Sequence, residues 1–177
     1  MESTETTEST ESTETTETTE TTETRSQAMS TEQYTLTMTR EFDAPRETVF
    51  EAWMNPDLLT QWFGPADVDA PRDKIIIEPR VGGVWQVVMG WTDENGRQEA
   101  PIEAVIKELD APALLVSTAK AAPDADHEFE EMRLEFEDLN GRTRMHLTQS
   151  PFASEDWVEM TRDGWGTSFD KLDALLA

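Results

Sequence analysis

The chain has 177 residues, 38 Asp and Glu against 14 Lys and Arg, a formal net charge of −24 and no cysteine. Absence of thiols excludes disulfides, thiolate metal sites and a cysteine nucleophile. The charge argues against nucleic acid and against an anionic membrane surface, because both are held through Lys and Arg.

No apolar run approaches the roughly 20 residues that cross a bilayer. The N-terminus lacks the basic start and apolar stretch of a secretory signal, so a cytoplasmic protein is expected. Residues 1–24 contain only Met, Glu, Ser and Thr, with Glu at every third position from Glu2 to Glu23. Such a segment has nothing to bury and repels itself, so residues 1–33 are read as a disordered tail and 34–177 as the folded domain. Met29 opens a plausible second start. Subtracting the eight Glu of residues 1–24 from −24 leaves −16, so the remainder is acidic in its own right. Its ten Arg against four Lys across the chain, together with that charge, suit a protein kept in high salt, where screening removes self-repulsion.

Tyr34, Leu36, Met38, Arg40 and Phe42 alternate with threonines, which predicts a first strand with one buried face. Asp43-Ala44-Pro45 ends it and opens a helix carrying Val49, Phe50 and Trp53. Asn55-Pro56 repeats the cap-then-proline signal for a second short helix with Leu58, Leu59, Trp62 and Phe63, stopped by Gly64-Pro65. Strands follow. Lys74 to Glu78 is a short apolar run, and Gly82-Gly83 precedes Val84 to Trp91, where Trp85, Val87, Met89 and Trp91 share a face. Asn95-Gly96 and Asn140-Gly141 mark tight turns, since such pairs tolerate positive φ. Segments Ile102–Leu109, Leu114–Thr118, Met132–Phe136 and Met145–Leu147 complete an antiparallel meander. Ser154 then caps a long helix, with Glu155 and Asp156 near its positive end. Val158, Thr161, Trp165, Phe169, Leu172 and Leu176 follow one of its faces to the C-terminus.

The expected fold class is therefore α+β, a curved antiparallel sheet of about six or seven strands closed over a long C-terminal helix, with two short helices after strand one. That order and its local sequences resemble the START-like (SRPBCC) helix-grip superfamily, and within it the activator of heat-shock protein 90 ATPase homologue-like family. Residues 40–45, 49–53 with 56–65, Gly82-Gly83-Val84-Trp85, 136–144 and 164–172 carry the likeness, in the expected order. The resemblance implies a sheet gripping the last helix with a cavity between them. Members of the superfamily bind lipids, hormones or polyketides and a few catalyse, so membership alone names no substrate.

Chemistry-bearing residues give weaker signals. His146 alternates with Met145 and Leu147 and points outward. His127 lies in an acidic loop with Asp124, Asp126 and Glu128, better read as solvated than as a cation site. Neither Gly82-Gly83 nor Gly164-Trp165-Gly166 is a phosphate loop. Glu103 and Glu135 sit in strands among apolar neighbours. Pointing inward, either would be desolvated and fit for acid–base work; the outward reading is preferred. Six tryptophans in one domain are the stronger signal. Gly164 and Gly166 interrupt an otherwise strong helix, which calls for a close neighbour or for empty volume. The candidate cavity lining is Trp53, Trp62, Trp85, Val87, Met89, Gly164, Trp165 and Ser168, with no catalytic residue, metal or cofactor expected. The leading expectation is a non-catalytic protein that binds an apolar or aromatic small molecule. The alternatives are a chaperone-regulator-like interaction module with a protein partner, or a polyketide cyclase-like enzyme.

Overall fold

Alternating side chains make β1, Tyr34–Phe42, a strand with Leu36 and Phe42 fully buried and the intervening threonines turned outward. These are the first elements in a computed structural model that describes residues 33–121 and 128–177. The expected tail and the His127 loop, with Asp124 and Asp126, lie outside the described residues. Pro45 stands at the N-cap of α1, Arg46–Met54. α2, Pro56–Trp62, has Asn55 as its cap, whose side-chain oxygen accepts from the Asp57 amide at 3.0 Å.

A short 3-10 turn at Arg72–Lys74 precedes β2, which is only Ile76–Ile77. The apolar run from Lys74 to Glu78 thus yields two paired residues, not five. β3 (Val84–Asp93) and β4 (Gly96–Asp110) form a long hairpin, followed by β5 (Leu114–Lys120), β6 (Phe129–Asp138) and β7 (Thr143–Phe152). Asn140 and Gly141 hold φ of 59° and 95° in the β6–β7 turn, the geometry that two-residue hairpin turns require. At the β3–β4 turn only Gly96 has positive φ.

The seven strands form one antiparallel sheet in the order β1-β7-β6-β5-β4-β3-β2. Sequence order is kept except that β1 closes against β7. Irregular registers between Tyr34 and Leu36 and between Ile106 and Glu108 mark bulges that bend the strands. Gly83 is needed where it stands, because a Cβ there would meet the Glu78 carbonyl at 2.3 Å.

α3 runs from Glu155 to Leu176, capped by Ser154, whose hydroxyl accepts from the Trp157 amide at 3.3 Å. Its C-terminal half is the better packed. Phe169 and Leu172 are fully buried, whereas Trp157 and Met160 near its start are 46% and 62% exposed. Arg40 of β1 pairs with Asp170 at 2.8 Å and with Asp173, tying that half to the sheet edge. The architecture is the expected helix-grip arrangement, with seven strands. Among the described residues no helix is long and apolar enough to cross a membrane.

Candidate site between the sheet and the last helix

The two short helices are bolted to the sheet by tryptophans. Within α1 the Ala52 carbonyl would ordinarily accept from residue 56, but Pro56 has no amide hydrogen. The Trp62 indole N–H supplies that bond at 3.0 Å. The Trp53 carbonyl faces the same shortage, because the Asp57 amide is turned to the Asn55 side chain. Trp85 of β3 donates to it at 3.1 Å. Trp53 itself packs edge-on to Trp62 at 4.8 Å and against Trp165 at 5.5 Å. Its own indole N–H is buried without a hydrogen bond.

Beside this cluster the sheet and the N-terminal half of α3 stand apart, and two cavities fill the space. The larger, about 620 Å³, is walled by Trp85 of β3, residues 100–104 of β4, Ser117 and Ala119 of β5, Glu130 and Met132 of β6, and Gln149 of β7. The smaller, about 310 Å³, lies under α3 between Met89, Pro65, Met160, Gly164 and Ser168. Phe63, Ile102, Gln149 and Trp165 line both. Strand register explains the wall. Trp85 opposes Ala104, Ala104 opposes Ala119, and Ala119 opposes Glu130, so small side chains occupy the middle of one inward row. Alanines there leave the volume that larger residues would fill.

The polar side chains on the lining of the larger cavity are Glu103, Ser117, Lys120, Glu130, Glu131 and Gln149. Trp165 donates its indole N–H to Gln149 Oε1 at 3.1 Å, and Gln149 Nε2 donates to Glu130 Oε2 at 3.4 Å. Ser117 is 2% exposed and lies in the inward row between Ile106 and Met132. The Ser168 hydroxyl is spent on the Gly164 carbonyl at 2.8 Å. Below the smaller cavity, Lys171 donates to the Pro65 and Val68 carbonyls at 3.1 and 3.2 Å, pinning the loop after α2 to α3. Partial burial lowers the Lys171 ammonium from its usual range, against the opposing pull of Asp69. Among the described residues no cluster of His, Asp and Glu is placed to hold a metal ion.

This combination of sheet, helix pair and gripped C-terminal helix has clear counterparts. Residues 43–177 match the family described as activator of Hsp90 ATPase homolog 1-like protein. The chain belongs to that family. Solved structures agree at the level of fold. The AHSA1 protein of Silicibacter pomeroyi is 22% identical with a TM-score of 0.65, covering 80% of this chain and 96% of that one. A protein from Chromobacterium violaceum is 20% identical with a TM-score of 0.69, over 80% and 96% of the two chains. One from Arthrobacter aurescens is 25% identical with a TM-score of 0.63, over 82% and 87%. No curated protein matches the sequence.

Membership of the activator of Hsp90 ATPase homolog 1-like family fixes the frame, and the side chains of this chain decide the lining. Of the residues anticipated for it, Trp85, Met89, Gly164, Trp165 and Ser168 face the cavities. Trp53, Trp62 and Val87 do not. They are fully buried in the core, and the first two serve the α1–α2 hairpin rather than a cavity mouth. Glu103 and Glu135 are exposed, the latter 3.5 Å from Arg133. Glu103 nonetheless contributes to the lining of the larger cavity. His146 is turned outward, 3.1 Å from the Thr39 hydroxyl. Phe63, Ser117, Glu130 and Gln149 escaped the sequence reading. Two of them carried a usable signal: Ser117 and Gln149 are polar residues in the inward phase of strands whose neighbours two positions away, Leu115 and Leu147, are buried.

Proposed function

We propose that the domain holds one apolar or aromatic small molecule between the sheet and α3, and that it does so without catalysis. The observation that carries this reading is the larger cavity, about 620 Å³, whose apolar wall is built of Trp85, Ile102, Met132, Phe63, Trp165 and four alanines. Sites for small molecules have volumes of roughly 300–1,000 Å³, apolar walls and a few placed polar groups.

N-phenyl-1-naphthylamine, a neutral probe that brightens in apolar surroundings, tests the proposal. Its fluorescence should saturate at one equivalent per chain. Ala119→Trp, which fills the cavity from the β5 wall, should abolish that signal while leaving the unfolding transition in place. A non-saturating signal, or one indifferent to Ala119→Trp, would overturn the reading.

A further inference from the structure

One hydroxyl on the wall of the larger cavity is unserved. Ser117 lies in the inward phase of β5, between Leu115 and Ala119, and is 2% exposed. It lines the cavity, and its side chain makes no hydrogen bond among the described residues. Alanine, which stands at 119 on the same face, would avoid the cost of burying a hydroxyl without a partner. Ser117 also marks the inner end of the cavity. Across the strands it faces Ile106, fully buried, and Met132, and Trp85 and Ala104 beside it are 2% and 3% exposed. The charges stand at the other end. Glu103, Lys120 and Glu131 fall in the outward phase of their strands and are exposed, so they meet the cavity at its rim. Glu130 and Gln149 are held with Trp165 in the hydrogen-bonded chain already described.

Resting on the cavity reading above, we infer that the bound molecule enters with a polar end leading: an aromatic or alicyclic body whose inner end carries one uncharged oxygen, a phenolic hydroxyl or a ketone, hydrogen-bonded to Ser117. A serine hydroxyl both donates and accepts, so either oxygen satisfies it. An ionised group does not belong at that end. Trp85, Ala104, Ile106 and Met132 around Ser117 supply no cation, and the Trp85 N–H is already given to the Trp53 carbonyl. A charge taken out of water unpaired is strongly disfavoured. A carboxylate elsewhere on the same molecule would trail at the rim, where Lys120 stands with Glu103 and Glu131. Amphiphiles whose only polar atoms stay in water leave Ser117 unserved. Giving the buried hydroxyl a neutral partner is worth roughly two- to ten-fold in affinity.

2-Naphthol and 2-methylnaphthalene share a shape, are both uncharged at neutral pH, and differ in the one oxygen. Dissociation constants come from their displacement of N-phenyl-1-naphthylamine, whose own constant is measured in each variant. Ser117→Ala should weaken naphthol at least three-fold and move methylnaphthalene less than two-fold. Lys120→Gln should leave both constants within two-fold of the parent. Ser117→Ala should also melt at the parent's temperature or above, because it removes a buried hydroxyl that nothing serves. Equal effects of Ser117→Ala on the two compounds refute the inference, and so does a naphthol loss that follows Lys120→Gln instead, which places the oxygen at the rim. A lower melting temperature for Ser117→Ala also refutes it, since the hydroxyl would then have a partner in the empty protein. Each of these leaves the cavity reading standing, whereas failure of the dye to saturate in the parent protein removes both.

Discussion

The Trp85 indole N–H donates to the main-chain carbonyl of Trp53 at 3.1 Å, so a side chain from the sheet completes the end of a helix. With Trp62 on the Ala52 carbonyl, it turns the shortage created by Pro56 and Asn55 into a joint between α1, α2 and β3. Removing one partner of a buried bond leaves the other desolvated, at about 1–3 kcal/mol. Trp85→Phe and Trp62→Phe should each lose at least that much stability in urea denaturation, with a further loss for the vacated indole volume. Trp157→Phe, at a site 46% exposed, should stay within about 0.5 kcal/mol of the parent. A Trp85→Phe variant as stable as Trp157→Phe would mean that the joint contributes nothing.

The two helical glycines should part company. A Cβ on Gly166 meets nothing within 4 Å, so Gly166→Ala should gain up to about 1 kcal/mol of helix propensity. A Cβ on Gly164 meets Pro65 Cγ at 3.3 Å and enters the wall of the smaller cavity. Gly164→Ala should therefore be less stable than Gly166→Ala and bind N-phenyl-1-naphthylamine more weakly. Equal stability and equal probe affinity for the two variants would show that Pro65 yields freely and that this cavity is not used.

Lys171 gives stability a pH dependence at the alkaline end. Its folded pKa lies below the usual 10.5, chiefly through burial. Between that lowered value and 10.5 the unfolded chain holds a proton that the folded chain has released, so this lysine's contribution improves as pH rises through the window. Below the window both states are protonated and the penalty of burying the ammonium is constant. Lys171→Met should remove the slope. Unfolding free energies of the two proteins, compared from pH 7 to 10.5, should diverge in that sense, and parallel curves would contradict it.

Acidity should make the fold salt-dependent. The described ion pairs, such as Arg97 with Asp69 and Arg144 with Glu41, are solvent-exposed, and pairs of that kind contribute little singly. Excess carboxylates repel one another, and salt screens that repulsion. Melting temperature should rise from low salt to molar KCl. A flat or falling curve would argue against a high-salt setting for this chain.

What the sequence determined was the set of elements. Period-two alternation in β1 and β7, the cap-and-proline pairs at residues 43–45 and 55–56, the Asn-Gly turns and the apolar stripe of α3 are local signals, and local geometry follows from them. Their order sufficed to indicate a sheet gripping its last helix. Even the inward phase of Ser117 and Gln149 was written in the strands. Only the tertiary structure decided which tryptophans face empty space. Trp53, Trp62 and Trp85 are alike in composition and pattern, yet the first two are sealed in the core and the third borders the larger cavity. That difference arises from Ala104 and Ala119, set beside Trp85 in one row by the register of three strands, and from the packing of Trp53 and Trp62 against each other and Phe169. The register joins residues distant in the chain, and the ring packing joins α1 and α2 to α3, so both exist only once the helices and strands have met.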